Sequence, residues 1–262
     1  MRLALVHGFT QSARSWDPLR AGLRIAGFDV VTPELAGHGC AATVRADLAA
    51  DADRMATEVG HAVWVGYSMG GRVCLRLALD RPQCVDGLVL VSTTAGLETA
   101  AERAARRASD ETLAASIEDS GVAAFMQRWL AAPMWASLPA ESAGLDARLT
   151  NTGPGLASSL RLAGTGTQEP LWGRLAEIHA RVLVISGALD TKFDALGDRL
   201  AAGLTSAEVT RVSMPGTGHA LPWEQPEAFV GELVGWRGAI QAEIPQRSAI
   251  QAPAPQRGAI ED

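Results

Sequence analysis

A serine framed by glycines, Gly66-Tyr67-Ser68-Met69-Gly70-Gly71, comes directly after the apolar run Val63–Val65 and before the helical pattern Arg72–Leu79. That placement presents a hydroxyl on a sharp strand-to-helix turn, with Gly66 and Gly70 leaving room around it. Ser68 then sits at a helix N-terminus, where the dipole and free N–H groups stabilise developing negative charge. A neutral serine reacts poorly alone; it needs a histidine to take its proton and an acid to orient that histidine. On such a turn the partners follow in the order serine, acid, histidine. Asp190 stands in Gly187-Ala188-Leu189-Asp190, just past the late apolar run Arg181–Ser186. Of the five histidines, His7, His38, His61, His179 and His219, only His219 lies downstream of it. That makes Ser68, Asp190 and His219 the candidate catalytic set. Asp194 and Asp198 compete as acids, but both fall in the next helical pattern and are expected to face solvent. The N–H of Met69, and that of Phe9 in the loop His7-Gly8-Phe9, would form the oxyanion hole.

Positioning these groups requires alternating strands and helices. Short apolar runs predict strands at Arg2–Val6, Asp29–Thr32, Val63–Val65, Gly87–Val91, Arg181–Ser186 and Glu208–Val212. Their near-continuous apolarity suits strands covered by helices on both faces, so the fold class is α/β with a mostly parallel sheet. Residues 95–179 show no convincing strand and read as helices broken by Pro133, Pro139, Gly153-Pro154-Gly155 and Pro170. Such an insertion would cap the C-terminal ends of the strands, where α/β sheets place their sites. The expected organisation is a core of residues 1–94 and 180–238, a helical cap of residues 95–179, and a tail of residues 239–262. The near-copies Ala239–Ser248 and Ala249–Gly258, rich in Pro and Gln, cannot bury enough surface to offset their ordering entropy, so the tail is expected to be disordered or loosely attached and to play no part in the chemistry. His7 is expected to pack structurally, and Gly37-His38-Gly39 to form a tight structural turn beside the site.

The chain of 262 residues carries a net charge of −6, which argues against nucleic acid and anionic membrane surfaces as partners. No run approaches the length of a membrane span. Three cysteines without CxxC spacing suggest neither disulfides nor a zinc site, and point to a reduced, cytoplasmic protein. No ligand cluster or phosphate-cradling loop implies a metal or organic cofactor.

Together the HGF, GHG, GYSMGG, GALD and GTGH segments, spread over Met1–Gly238, resemble the α/β-hydrolase superfamily. Two departures are that the first strand already carries the His7-Gly8 loop, so that the usual two N-terminal strands are missing or reduced, and Glu34, where relatives usually have Asp. Within the superfamily the chain resembles the 2-succinyl-6-hydroxy-2,4-cyclohexadiene-1-carboxylate synthases. The resemblance rests on Gly66–Arg72, on Gly187-Ala188-Leu189-Asp190-Thr191-Lys192-Phe193, on Glu102–Asp110, and on Trp129 followed by Pro133–Leu138. It implies a lyase of menaquinone or phylloquinone biosynthesis that eliminates pyruvate from 2-succinyl-5-enolpyruvyl-6-hydroxy-3-cyclohexene-1-carboxylate, with Ser68 as base. It also implies that Tyr67, Arg72, Arg106 and Trp129 bind a small polycarboxylate substrate. From the residues alone, Arg106 is equally well a surface partner of Glu102 one helical turn away, and Trp129 a packing residue.

The same Ser–Asp–His set would serve a carboxylesterase, a thioesterase or a carbon–carbon bond hydrolase, since fold does not fix chemistry. Inward-facing Arg72 and Arg106 would disfavour a small apolar ester. A non-catalytic receptor would have little use for an intact set. A dehalogenase needs a carboxylate where Ser68 stands.

Overall fold

The computed structural model describes residues 1–247, with side chains through Arg237. Six strands, β1 (Arg2–Val6), β2 (Asp29–Val31), β3 (Ala62–Tyr67), β4 (Val85–Val91), β5 (Val182–Gly187) and β6 (Val209–Met214), form one parallel sheet in the order β2-β1-β3-β4-β5-β6. Each expected strand is present, β1 with its expected ends and no end of the others moved by more than two residues. The helices are α1 (Asp17–Ile25), α2 (Leu48–Val59), α3 (Met69–Asp80), α4 (Ala100–Leu130), α5 (Leu145–Arg148), α6 (Gly153–Ala163), α7 (Thr191–Gly203), α8 (Leu221–Glu224) and α9 (Pro226–Arg247).

The inner strands β1, β3, β4 and β5 are apolar over most of their length because both faces of the sheet are covered there. Leu3 and Leu5 of β1, with Val63, Val65 and Tyr67 of β3, pack against Leu19, Leu23, Phe229 and Leu233 of α1 and α9. Ala4, Val6 and Trp64 point the other way, against Met55 of α2 and Val73 and Leu77 of α3. Each fully buried Leu or Val contributes roughly 1.5–3 kcal/mol.

After β1 the chain winds outward to β2 and then crosses to β3 on the other side, so the order reverses between β1 and β3. In doubly wound sheets that reversal opens a crevice at the carboxyl ends of the strands. Val6 pairs with Gly66 there, which brings the loop after β1 beside the turn after β3.

Residues 95–179 contain no strand. Their helices α4 and α6 share an apolar cluster of Ile117, Phe125, Met126, Leu156 and Leu160, which meets the rest of the chain through Phe9. The last helix corrects the expected tail: α9 runs without a break from Pro226 through position 239 to Arg247. A helix begun on Phe229 and Leu233, buried against the sheet, propagates at little further cost per residue. The remainder of the tail, residues 248–262, lies outside the described residues. Among the described residues no helix is long and apolar enough to cross a membrane.

Candidate active site

Ser68 occupies the turn between β3 and α3 with φ 51° and ψ −108°. A non-glycine residue holds such a conformation only when its surroundings fix it. Here its N–H donates to Val91 O at 2.8 Å, and its carbonyl accepts from Thr93 Oγ1 at 2.7 Å. The flanking glycines permit close approach: a Cβ on Gly66 would lie 2.5 Å from Gly70 O, and one on Gly70 would lie 2.3 Å from Val6 O. The start of α3 is thereby pressed onto the end of β1.

The structure brings Ser68, His219 and Asp190 together. His219 Nε2 lies 3.2 Å from Ser68 Oγ, and His219 Nδ1 lies 2.7 Å from Asp190 Oδ2. Asp190 can only accept when ionised, so Nδ1 carries the proton and Nε2 is free to take the one from Ser68. Asp190 also caps α7, its Oδ1 accepting from Phe193 N–H at 3.3 Å. The loop around His219 is held by Glu224, which accepts from Gly218 N–H at 2.6 Å and Ala220 N–H at 2.9 Å. No local motif signals Glu224; only the fold places it under that loop. The rival acids are engaged elsewhere. Asp194, expected in solvent, instead accepts from Ser186 Oγ at 2.7 Å and pairs with Arg211. Asp198 is exposed and also pairs with Arg211.

Met69 is the first residue of α3, so its N–H has no partner within the helix. Phe9 lies in the loop after β1, with Gly8 N–H donating to Gln11 Oε1 at 2.9 Å. Behind this loop His7 is fully buried, its Nδ1 2.9 Å from Gly8 O and its Nε2 2.9 Å from Glu34 Oε1. Burial works against the charge of Glu34, yet His7 and the Ala13 N–H hold its carboxyl below the usual range. His38 is fully buried too, and burial, reinforced by His7, pushes it down to about 3. It is therefore neutral near pH 7, with Nδ1 at Ala36 O and Nε2 accepting from Thr10 N–H.

A cavity of about 300 Å³ opens onto Ser68 and His219 and is lined by Phe9, Tyr67, Met69 and Arg72 from one side and Arg106, Trp129 and Trp135 from the 95–179 segment. All four expected substrate-binding residues, Tyr67, Arg72, Arg106 and Trp129, reach it. Arg72 is 6% exposed and is held by Ala163 O at 2.9 Å and Gln168 Oε1 at 3.0 Å. Among the described residues no carboxylate pairs with it, and burial lowers it to about 10, so it remains charged at neutral pH. Arg106 departs from the expected surface pair. Its Nε lies 2.8 Å from Asp110 Oδ1, while Glu102 is taken by Thr99 in a capping box. Trp129 stacks on Phe125 and meets Phe9 edge-on, so it both packs and lines the cavity. Tyr67 Oη and Trp129 Nε1 are buried without a hydrogen-bond partner among the described residues.

Two further cations were assigned no role from the sequence, although Lys192 stands in the Thr191-Lys192-Phe193 run that carries the resemblance. Lys192, the single lysine of the chain, is exposed at the rim of the cavity. Arg148, buried behind Trp135, lies 5.7 Å from that ring. Arg148 has no local signature that separates it from a surface cation. Among the described residues no group of three or more His, Cys, Asp or Glu could hold a metal ion.

Residues 3–232 match the model of the alpha/beta hydrolase family. A Bacillus subtilis (strain 168) protein, named provisionally as a 2-succinyl-6-hydroxy-2,4-cyclohexadiene-1-carboxylate synthase, is 36% identical over 87% of this chain and 87% of its own. The synthase of that name from Salmonella typhimurium is 30% identical over 88% of this chain and 91% of its own. Among solved structures, MenH from S. aureus superposes with a TM-score of 0.84 at 27% identity, covering 92% of this chain and 94% of its own.

Proposed function

From the premise that the chain belongs to the alpha/beta hydrolase family, and within it to the 2-succinyl-6-hydroxy-2,4-cyclohexadiene-1-carboxylate synthases, we propose that it eliminates pyruvate from 2-succinyl-5-enolpyruvyl-6-hydroxy-3-cyclohexene-1-carboxylate, a step of menaquinone biosynthesis. The observation that carries this reading is Arg72: a buried guanidinium without a carboxylate partner, opening into the cavity that holds Ser68 and His219. A buried charge left unmatched by the protein is costly, and an anionic ligand supplies the match. The substrate carries three carboxylates; a simple ester offers none.

The roles follow from the chemistry of the two named compounds. The ring double bond moves from position 3 to positions 2 and 4, so the proton lost is the one at C2, beside the succinyl ketone. Ser68 Oγ takes that proton as its own passes to His219 Nε2, while Asp190 steadies the imidazolium. The electron pair from the C–H bond forms the new C2–C3 double bond, the C3–C4 pair shifts to C4–C5, and the C5–O bond breaks. The enolpyruvate released takes a proton from His219 and becomes pyruvate. No atom is added and nothing is oxidised. Negative charge gathered on the succinyl carbonyl faces the N–H groups of Phe9 and Met69. Arg72 and Arg106 hold carboxylates, with Tyr67 and Trp129 offering further donors and a stacking surface. Residues 95–179 act as the cap that closes the site over residues 1–94 and 180–238. A net charge of −6 and three cysteines with no disulfide among them accord with a cytoplasmic enzyme that does not bind nucleic acid.

The test measures pyruvate release from that substrate beside hydrolysis of short p-nitrophenyl esters, for wild type, Ser68→Ala and Arg106→Ala. Pyruvate release that Ser68→Ala abolishes and Arg106→Ala weakens, with feeble ester cleavage, is expected. Brisk ester hydrolysis without pyruvate release would assign the site to a serine hydrolase instead.

A further inference from the structure

Thr10 follows Phe9 in the loop after β1 and holds a φ of 68° although it is not glycine. It is fully buried, and such a backbone survives only where its neighbours over-determine it. Each of its polar groups is in fact engaged. Its N–H donates to His38 Nε2 at 3.3 Å, its hydroxyl accepts from Arg148, and its carbonyl accepts from Asn151 Nδ2 at 2.8 Å. Asn151 Nδ2 is also 3.2 Å from Gln11 O and 3.0 Å from Arg148 O, and Asn151 Oδ1 accepts from Gly39 N–H at 2.9 Å. One buried amide thus ties together the loop after β1, the Gly37–Gly39 turn and the 95–179 segment that carries it. On the other side of Phe9, Gly8 is fixed separately through Gln11 and His7.

We infer that Asn151 is a positioning residue for the reaction: reaching from the cap, it fixes the backbone after Phe9 so that the Phe9 N–H points at the developing oxyanion. The inference rests on the oxyanion role given to Phe9 above. It makes the strength of the oxyanion hole depend on a seated cap, because Arg148 and Asn151 leave Thr10 together when that segment lifts. An oxyanion donor is effective only when aimed at where charge develops, and a misaimed one is lost to the transition state while ground-state binding is kept.

The test uses the full chain with Asn151→Ala, Asn151→Asp and, as a control, Thr152→Ala. The Asp variant keeps the acceptor for Gly39 and removes the donors to Thr10 and Gln11. The control removes the cap of α6, where Thr152 Oγ1 accepts from Gly155 N–H, and none of the hydrogen bonds by which Asn151 holds the loop. Two rates are read beside the melting temperature. One is kcat and KM for pyruvate release. The other is the rate at which a fluorophosphonate phosphonylates Ser68, expelling fluoride; its phosphoryl oxygen uses the same N–H donors whichever substrate the enzyme takes. Both Asn151 variants are expected to lose on the order of ten- to hundredfold in kcat, with little change in KM and a parallel loss in labelling rate. Thr152→Ala is expected to melt earlier with kcat intact. Unchanged kcat and labelling in folded Asn151 variants, a loss confined to KM, or an equal kcat loss in the control would each overturn the inference. If wild type is labelled but releases no pyruvate, the lyase reading fails by itself, and the labelling rates alone decide the role of Asn151.

Discussion

Arg72 and Arg106 enter the cavity under different conditions, and the difference can be measured. Arg72 is buried and faces backbone and amide oxygens, so in the proposed reaction a substrate carboxylate would meet a guanidinium already largely desolvated. Arg106 is 42% exposed on its side chain and paired with Asp110, so a carboxylate arriving there must displace that partner in partly screened surroundings. Charged hydrogen bonds of the first kind contribute about 1.5–3 kcal/mol. Arg72→Lys, which keeps the charge but loses the planar fork, is therefore expected to lower kcat/KM by about ten- to hundredfold. Arg106→Lys is expected to lose clearly less. The reverse order in steady-state kinetics would show that Arg106 leaves Asp110 and carries the main carboxylate contact. Ser68, Asp190 and His219 were legible at this scale because their chemistry prescribes an order along the chain and a loop for each. The partner of Arg106 was not, since acids stand one helical turn away on both sides. The deciding signal was present in Thr99-x-x-Glu102, a capping-box pattern that commits Glu102 to the helix start.

At the scale of elements, the strands were readable because helices cover both faces of the sheet and leave apolar side chains on each. The expected ends of β6, an edge strand with mixed burial, and of β3 both fell short, of Met214 and Tyr67 respectively. The interior of α4 was not readable. A glycine within a helical pattern has no signature of its own, yet Gly121 takes φ 75° and ψ 163° and breaks the helix into two arms. The second arm carries Trp129 to the cavity, with Phe125 stacked against it. The break depends on backbone freedom rather than space, for a Cβ on Gly121 would meet nothing within 4 Å. Only glycine visits that region cheaply; other residues incur on the order of 1–3 kcal/mol. Gly121→Ala is expected to lower stability to denaturant by that amount and to raise KM as the arm bearing Trp129 is redirected. A variant with unchanged stability and KM would mean that the break is incidental to the seating of Trp129. The α9 helix shows the complementary failure: composition argued against order from position 239, but a helix anchored on the sheet carried the chain on to Arg247.

Across the whole molecule, the buried His7, Glu34 and His38 group joins the loop after β1 to the turn after β2 and couples stability to pH. The sequence marked Gly37-His38-Gly39 as a structural turn, but only the packed structure reveals that His38 is held neutral, because its shift arises from complete burial and the nearness of His7. The sign follows from comparing the two states. In the unfolded chain His38 takes a proton near pH 6.5, whereas in the folded protein it stays neutral down to about 3. As pH falls below 6.5 the unfolded state alone binds that proton, so stability is lost progressively until about pH 3. Between pH 6.5 and pH 5 the loss is about 2 kcal/mol at about 1.4 kcal/mol per unit. In a chain of this size that corresponds to a drop in Tm of roughly 4–8 °C. Glu34 adds to the loss only at lower pH: its carboxyl is held below the usual range, so its contribution is present above its unfolded value near 4.5 and disappears as pH falls through the folded one. The window from 6.5 to 5 therefore isolates the histidine. His38→Gln, whose side-chain oxygen can still accept from Thr10 N–H, removes the titration and is expected to flatten the dependence of Tm on pH across that window while leaving the limb below pH 4.5. Equal slopes for wild type and His38→Gln between pH 6.5 and 5 would place the acid sensitivity elsewhere and show that His38 gains its proton together with the unfolded chain.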